Sequence, residues 1–125
     1  GEMCELATSS GRIALLTESH ARRKKQATET HGLDINPRIG DVYATSGDDG
    51  TVRVWSCSAR RCVMRASPDL LGGAAVRCCS FAPDGNQLAV GLGGDPTDRA
   101  RDGTLVILRV KIGVSMPVSR VTRPC

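Results

Sequence analysis

The chain has 125 residues, and its 17 Lys and Arg side chains against 13 Asp and Glu give a formal net charge of +4. This length favours a single domain, and the mild positive charge suits an acidic partner, protein or nucleic acid, although each single basic cluster is better explained as a solvated loop. No apolar run approaches the ~18 uncharged residues of a membrane helix, so we expect no membrane-spanning segment. The six cysteines are too sparse for a disulfide scaffold, and we expect buried free thiols in a reducing cytoplasm.

Short strands separated by turns predict an all-β protein. Residues 1–7 and 12–16 form strands around the turn Ser9-Ser10-Gly11, and the polar, basic run at 22–30 has no periodicity and predicts a surface loop. Strands at 32–37, 42–46, 51–56 and 62–65 follow, joined by short turns with no helix-length segment between them.

The chain then repeats this unit. Residues 76–81, 87–91 and 104–108 again read as strands, and Pro37 matches Pro83 at a separation of 46 residues. A polar insert at 92–101 lengthens the loop before Asp102. The underlying period is about 45 residues, which is typical of repeat architectures. The tail from 112 to 125 fits either an outermost strand or an irregular extension.

One hairpin shows the repeating unit best, namely Ser46-Gly47-Asp48-Asp49-Gly50-Thr51-Val52-Arg53-Val54-Trp55. Together with Phe81-Ala82-Pro83-Asp84-Gly85 in the next copy, it resembles a WD40 repeat. The hairpin is preceded, in order, by Gly1-Glu2, Glu5-Leu6, Ser19-His20, Gly32-Leu33 and Asn36-Pro37. That order is similar to the echinoderm microtubule-associated protein-like family of WD-repeat proteins.

The resemblance implies an all-β fold of WD40-type propeller blades, about two and a half of them. Residues 1–30 would be the end of a first blade plus a basic loop, 31–74 a second blade and 75–113 a third blade with the insert at 92–101. Residues 114–125 would be an outer strand or tail. Such a set cannot close a ring, so we expect the remaining blades of a longer chain, or a larger complex, to cover its open ends.

The resemblance also implies a buried polar network in the second blade. WD40 blades join a His before the first strand, a Ser or Thr on the second strand, an Asp in the second hairpin turn and a Trp on the third strand. His20, Asp49 and Trp55 take three of these places, while the hydroxyl place two residues before the Asp is Gly47, so we expect an incomplete network. The third blade keeps Asp102 but has Leu108 at the Trp position.

The sequence lacks the motifs of enzyme chemistry. It has no nucleophile elbow, phosphate-binding loop or zincin motif, and its cysteines have poor zinc spacing. The pair Asp48-Asp49 is better explained by turn geometry than by acid–base catalysis. We therefore expect no enzyme activity, no cofactor and no metal site.

The predicted function is that of a protein-binding scaffold. The family resemblance points to microtubules, whose acidic surface suits the basic residues Arg22, Arg23, Lys24, Lys25, Arg60 and Arg61. The alternative is a WD40 adaptor in another assembly, such as a ubiquitin-ligase, trafficking or RNA-associated complex. Direct nucleic-acid binding is disfavoured because interleaved aromatic residues are missing. The expected location is the cytoplasm, on microtubules or in a cilium or flagellum.

Overall fold

The computed structural model describes residues 3–16, 20, 28–94, 103–112 and 120–121. Within these residues the regular elements are all strands: β1 (Met3–Ala7), β2 (Arg12–Leu16), β3 (Thr30–Ile35), β4 (Val42–Gly47), β5 (Val52–Ser56), β6 (Arg61–Ala66), β7 (Val76–Phe81), β8 (Gln87–Leu92), β9 (Thr104–Arg109) and β10 (Arg120–Val121). None of the described segments is a helix that could cross a membrane.

The strands form three antiparallel sheets. The first sheet is β1-β2, the second has the order β3-β4-β5-β6 and the third has the order β10-β9-β8-β7. The second and third sheets begin at Thr30 and Val76, which are 46 residues apart, as the repeat predicts. In the tail, Arg120 and Val121 pair with Leu108 and Ile107, so these two residues form an outer strand.

A glycine turn sets the geometry of the central hairpin. Gly50 has a φ of 72°, in the left-handed region that favours glycine, and its N–H donates to the carbonyl of Gly47 at 3.2 Å. This turn fixes the register in which Tyr43 lies opposite Trp55 and Thr45 opposite Arg53. Side chains two residues apart on a strand share a face, so Tyr43 and Thr45 lie on the same face of β4.

The apolar core lies between the second and third sheets. The second sheet and the loop that follows it contribute Val42, Ala44, Val52, Val54, Ala66 and Leu71, and the third sheet contributes Val76, Cys79, Phe81, Leu88, Val90, Val106 and Leu108, with Val110 just beyond it. Strands β3 and β4 pack against β7. Burying branched side chains from both sheets supplies the main favourable term holding them together, at roughly 25 cal/mol per Å² of apolar surface.

Strand β3 turns its large apolar side chains away from this core. Leu33 and Ile35 are 67% and 62% exposed, whereas Gly32 is buried. A Cβ on Gly32 would lie 2.9 Å from the backbone nitrogen of Cys79, so β3 can approach β7 closely only through a glycine. The exposed face, together with Cys4, Tyr43 and Cys57, lines an apolar cavity of about 240 Å³.

The five described cysteines are free thiols, but the expectation that they are buried is wrong for most of them. Cys79 is buried, Cys62 is half-buried, and Cys4, Cys57 and Cys78 are exposed. Cys78 and Cys79 point to opposite faces of β7, so only one of the two can face the core. Burial raises the pKa of the Cys79 thiol to about 11, which leaves it protonated and unreactive at neutral pH.

Candidate functional site

A chain of hydrogen bonds connects the central hairpin to a histidine that precedes it. The indole Nε1–H of Trp55 donates to Thr45 Oγ1 at 2.8 Å, and Thr45 Oγ1 lies 2.8 Å from His20 Nε2. Thr45 and His20 are fully buried and Trp55 is 6% exposed. Because the hydroxyl accepts from the indole, its own proton is available to donate to His20 Nε2.

The other ring nitrogen of His20 contacts the turn between β4 and β5. His20 Nδ1 lies 2.8 Å from Asp49 Oδ1, which also accepts from the backbone N–H and the hydroxyl of Thr51, at 3.0 and 2.7 Å. Arg53 Nη2 donates to the second oxygen, Oδ2, at 3.3 Å. When the imidazole proton of His20 is on Nδ1, all three hydrogen bonds point the same way. Trp55 donates to Thr45, Thr45 donates to His20, and His20 donates to Asp49.

The electrostatics of Asp49 follow from these contacts. Burial of its side chain raises the pKa, but the hydrogen bonds from His20 and Thr51 outweigh that effect and lower the pKa to about 2. The aspartate therefore stays ionised at neutral pH although it is only 5% exposed. The stacked rings of Tyr43 and Trp55, with centroids 6.3 Å apart, flank the same network.

A second, more exposed group of polar residues lies at the same end of the second sheet. Asp48 Oδ1 lies 2.9 Å from both His31 Nε2 and Arg77 Nη1. The Glu29 carboxylate is 4.0 Å from His31 Nε2. The three residues Glu29, His31 and Asp48 place their ligand atoms within 4.8 Å of one another. However, Arg77 Nη1 also lies 2.7 Å from His31 Nε2, so its guanidinium takes the place where a cation would bind.

Two comparisons relate this geometry to known proteins. The family described as WD domain, G-beta repeat matches residues 34–56 and 67–107, which is more than half of the chain. The chain belongs to the WD40-repeat family. Its structure is similar to the β-propeller domain of Cps50 (Swd1) from Myceliophteria thermophila, with a TM-score of 0.70 and 15% identity. That match covers 99% of this chain and 33% of the other, so the chain spans about a third of that propeller protein.

The comparisons confirm the predicted fold class, an all-β set of WD40 propeller blades. They support the WD40 family and leave the finer microtubule-associated family as a prediction. WD40 propellers are typically scaffolds for protein interactions, but a fold by itself does not fix a function. At 15% identity the structural likeness bears on the fold alone.

The expectation of an incomplete WD40 network, with a gap at Gly47, is wrong. Thr45 supplies the hydroxyl, four residues before Asp49 and one strand away from Trp55. A Cβ at Gly47 would lie 2.8 Å from His20 Nδ1 and 2.7 Å from the carbonyl oxygen of Glu29. Glycine at 47 therefore leaves the space that the histidine ring occupies, and a side chain there would push the ring away.

The structure brings together three of the residues named from the sequence, namely His20, Asp49 and Trp55. Asp102 and the basic residues Arg22, Arg23, Lys24 and Lys25 lie outside the described residues. Arg60 and Arg61 are exposed at the turn into β6, where Arg61 pairs with Ser56, the residue after Trp55, and neither arginine contributes a hydrogen bond to the network among the described residues.

Sequence reasoning missed Thr45, Thr51 and Arg53 as members of the network. One signal was present: with β4 and β5 paired so that Tyr43 faces Trp55, Thr45 lies diagonal to Trp55 on the same face. Thr51 also had a signal, because an aspartate in a turn commonly accepts a hydrogen bond from the backbone N–H two residues later. The signal for Thr45 depends on the hairpin register, whereas the one for Thr51 is local to the turn.

Proposed function

We propose that this chain is part of a WD40 propeller that acts as a non-catalytic protein-binding scaffold. The observation that carries the proposal is that the side chains best suited to acid–base catalysis are hydrogen-bonded inside the fold. His20 and Asp49, the residue types that an acid–base site would need, are buried and bonded to each other and to threonine hydroxyls. A catalytic group must reach its substrate, and these two groups are occupied in holding the hairpin to the preceding segment.

For the partner, we propose microtubules and, with them, a cytoplasmic location. The support is the resemblance to the echinoderm microtubule-associated protein-like family and the exposed pair Arg60 and Arg61 at the turn into β6. Adjacent exposed guanidinium groups favour an acidic protein surface, and their attraction to it weakens as salt screens the charges.

Co-sedimentation of the intact protein with polymerised tubulin tests this partner. We expect pelleting at low salt that decreases as salt rises, and a weaker response in the Arg60→Glu, Arg61→Glu double variant. Absence of pelleting at low salt would refute microtubule binding without affecting the scaffold proposal. Affinity purification followed by mass spectrometry separates the alternatives, because an adaptor of another complex would recover subunits of that complex instead of tubulin.

The exposed face of β3 supports a further part of the proposal, that other blades or a partner cover the open ends. Leu33 and Ile35 expose more than half of their surface next to the apolar cavity described above. Exposed apolar faces of this kind in propellers and other repeat proteins are normally buried by the neighbouring repeat. Hydroxyl-radical footprinting of the intact protein tests it, since the side chains of Leu33 and Ile35 should react slowly only if they are covered.

A further inference from the structure

An open groove lies where the second and third sheets meet, at the end of the structure where β3 turns into β4 and β9 ends. Two adjoining cavities of about 440 and 640 Å³ form it, and both are lined by Ile39, Lys111 and Ile112. The second sheet also contributes Val63 and Met64, and the end of β9 contributes Arg109. We call this feature the junction groove.

The junction groove combines exposed apolar surface with positive charge that has no ion-pair partner among the described residues. Ile39 is 41% and Val63 39% exposed, whereas Met64 and Ile112 are half-buried against the core. Three cations line it, namely Arg61, Arg109 and Lys111, all exposed. Among the residues that the structure describes, none of these three cations makes an ion pair.

Among the described residues that line the groove, Asp41 is the one acidic side chain, and it offsets only one of the three cations. Asp41 accepts from the Ser56 hydroxyl at 2.6 Å and from the backbone N–H and hydroxyl of Ser58 at 2.7 and 2.9 Å. Both carboxylate oxygens are therefore engaged within the β5–β6 turn. With three cations against this one carboxylate, the described lining presents an excess of positive charge around an apolar floor.

We propose that the junction groove binds a segment of a partner protein in which carboxylates flank an apolar side chain. The apolar side chain would contact Ile39 and Val63, and the carboxylates would pair with Arg109 and Lys111. A protein segment fits better than a nucleic acid, because no aromatic residue lines the groove to stack on bases. The inference rests on the proposed scaffold function and specifies one surface and the chemistry of its partner.

Fluorescence anisotropy of the intact protein with a labelled peptide, Asp-Glu-Glu-Leu-Asp-Glu, tests this inference. We expect binding at low salt that weakens about three- to tenfold in each of the variants Arg109→Glu and Lys111→Glu, since each exposed pair contributes modestly. Replacing the central Leu of the peptide with Ser should weaken binding as well. The same peptide with Lys in place of its acidic residues should not bind.

Arg65→Glu is the matched control variant. Arg65 is an exposed arginine on β6 like Arg61, but it does not line the groove, so this variant should bind the peptide like the unmodified protein. An equal loss in Arg65→Glu and Lys111→Glu would overturn the inference, because the peptide would then respond only to overall charge.

Three further outcomes would also overturn it: no binding at low salt, equal competition by a single-stranded oligonucleotide, or binding that appears only after residues 113–125 are deleted. In the last case the chain's own tail would occupy the groove. Microtubule pelleting of Lys111→Glu and of Arg60→Glu, measured alongside, separates this inference from the proposed function. Lys111 lines only the groove and Arg60 belongs only to the pair proposed for microtubules, whereas Arg61 belongs to both.

Discussion

Removing the hydroxyl group of Thr45 should destabilise the protein more than the small size of that group suggests. Thr45→Val keeps the shape of the side chain but leaves the Trp55 indole N–H and His20 Nε2 without the partner that lies 2.8 Å from each. Both groups are buried, and an unsatisfied buried polar group costs about 1–3 kcal/mol. With two such groups, we expect the free energy of unfolding to fall by about 2–6 kcal/mol in this variant.

Thr45→Ser is the matched control because it keeps the hydroxyl and removes one buried methyl group. Its expected cost is about 1 kcal/mol, from the lost packing. Urea unfolding of the intact protein, followed by circular dichroism, measures both values. The network argument is refuted if Thr45→Val costs no more than Thr45→Ser.

A double-mutant cycle with Trp55→Phe tests the same bond from its donor side. Phenylalanine retains an aromatic face but lacks the N–H, so the two single variants remove opposite ends of one hydrogen bond. We expect Trp55→Phe to cost about 1 kcal/mol less in the Thr45→Val protein than in the unmodified protein. Strict additivity would show that the indole and the hydroxyl do not interact.

Three further predictions concern the space, the charge and the sheet contact around the network. Gly47→Ser should lower the free energy of unfolding by about 1–3 kcal/mol in a urea titration because its Cβ would meet the ring of His20, whereas Gly40→Ser, with no atom within 4 Å, should be nearly neutral. Asp49 has a folded pKa of about 2, below its ordinary 3.8, so its contribution is present above about pH 4 and lost as pH falls through about 2. Between pH 5 and pH 2 the unmodified protein should therefore lose about 2 kcal/mol more than Asp49→Asn in urea titrations across that range. Asp34→Ala should cost about 1–3 kcal/mol in thermal or urea unfolding because it deprives the Phe81 N–H of its acceptor at 2.6 Å, and Ser80→Ala should cost less.

Each of these predictions has a result that contradicts it. A stable Gly47→Ser protein would mean that the His20 ring can shift without cost. Parallel pH profiles for the unmodified protein and Asp49→Asn would show that the hydrogen bonds to Asp49 do not favour its charged form. If Asp34→Ala and Ser80→Ala were equally mild, the contact of Asp34 with β7 would not contribute to the packing of the two sheets.

The positions of the strands along the chain were predictable because the signals for strands and turns are local. Alternating apolar residues and turn residues at 37–41, 47–50 and 82–86 are read within a few positions, and β7 begins and ends where the pattern places it. The pairing of whole sheets followed from the repeat, since each repeat supplies a complete antiparallel set. The outward-facing Leu33 and Ile35 were not predictable in this way, because alternation gives two faces and does not say which one meets a neighbour.

The candidate site was predictable only in part. His20, Asp49 and Trp55 followed from the family resemblance, and the structure joins them. The place of the hydroxyl was misassigned because a fixed count back from Asp49 ends on Gly47. Cross-strand register, together with the size of the histidine ring, decides that Thr45 fills the place instead.

The sequence by itself determined the repeat, the strands and the WD40 character of the central hairpin, since these depend on composition and spacing within the chain. The tertiary structure decided which residues share a face and which polar groups satisfy one another. It also showed that Ile39, about 70 residues before Arg109 and Lys111 in the sequence, lies with them around one groove. The physical reason is that burial and hydrogen bonding depend on distances between segments, and those distances are set only when the sheets pack together.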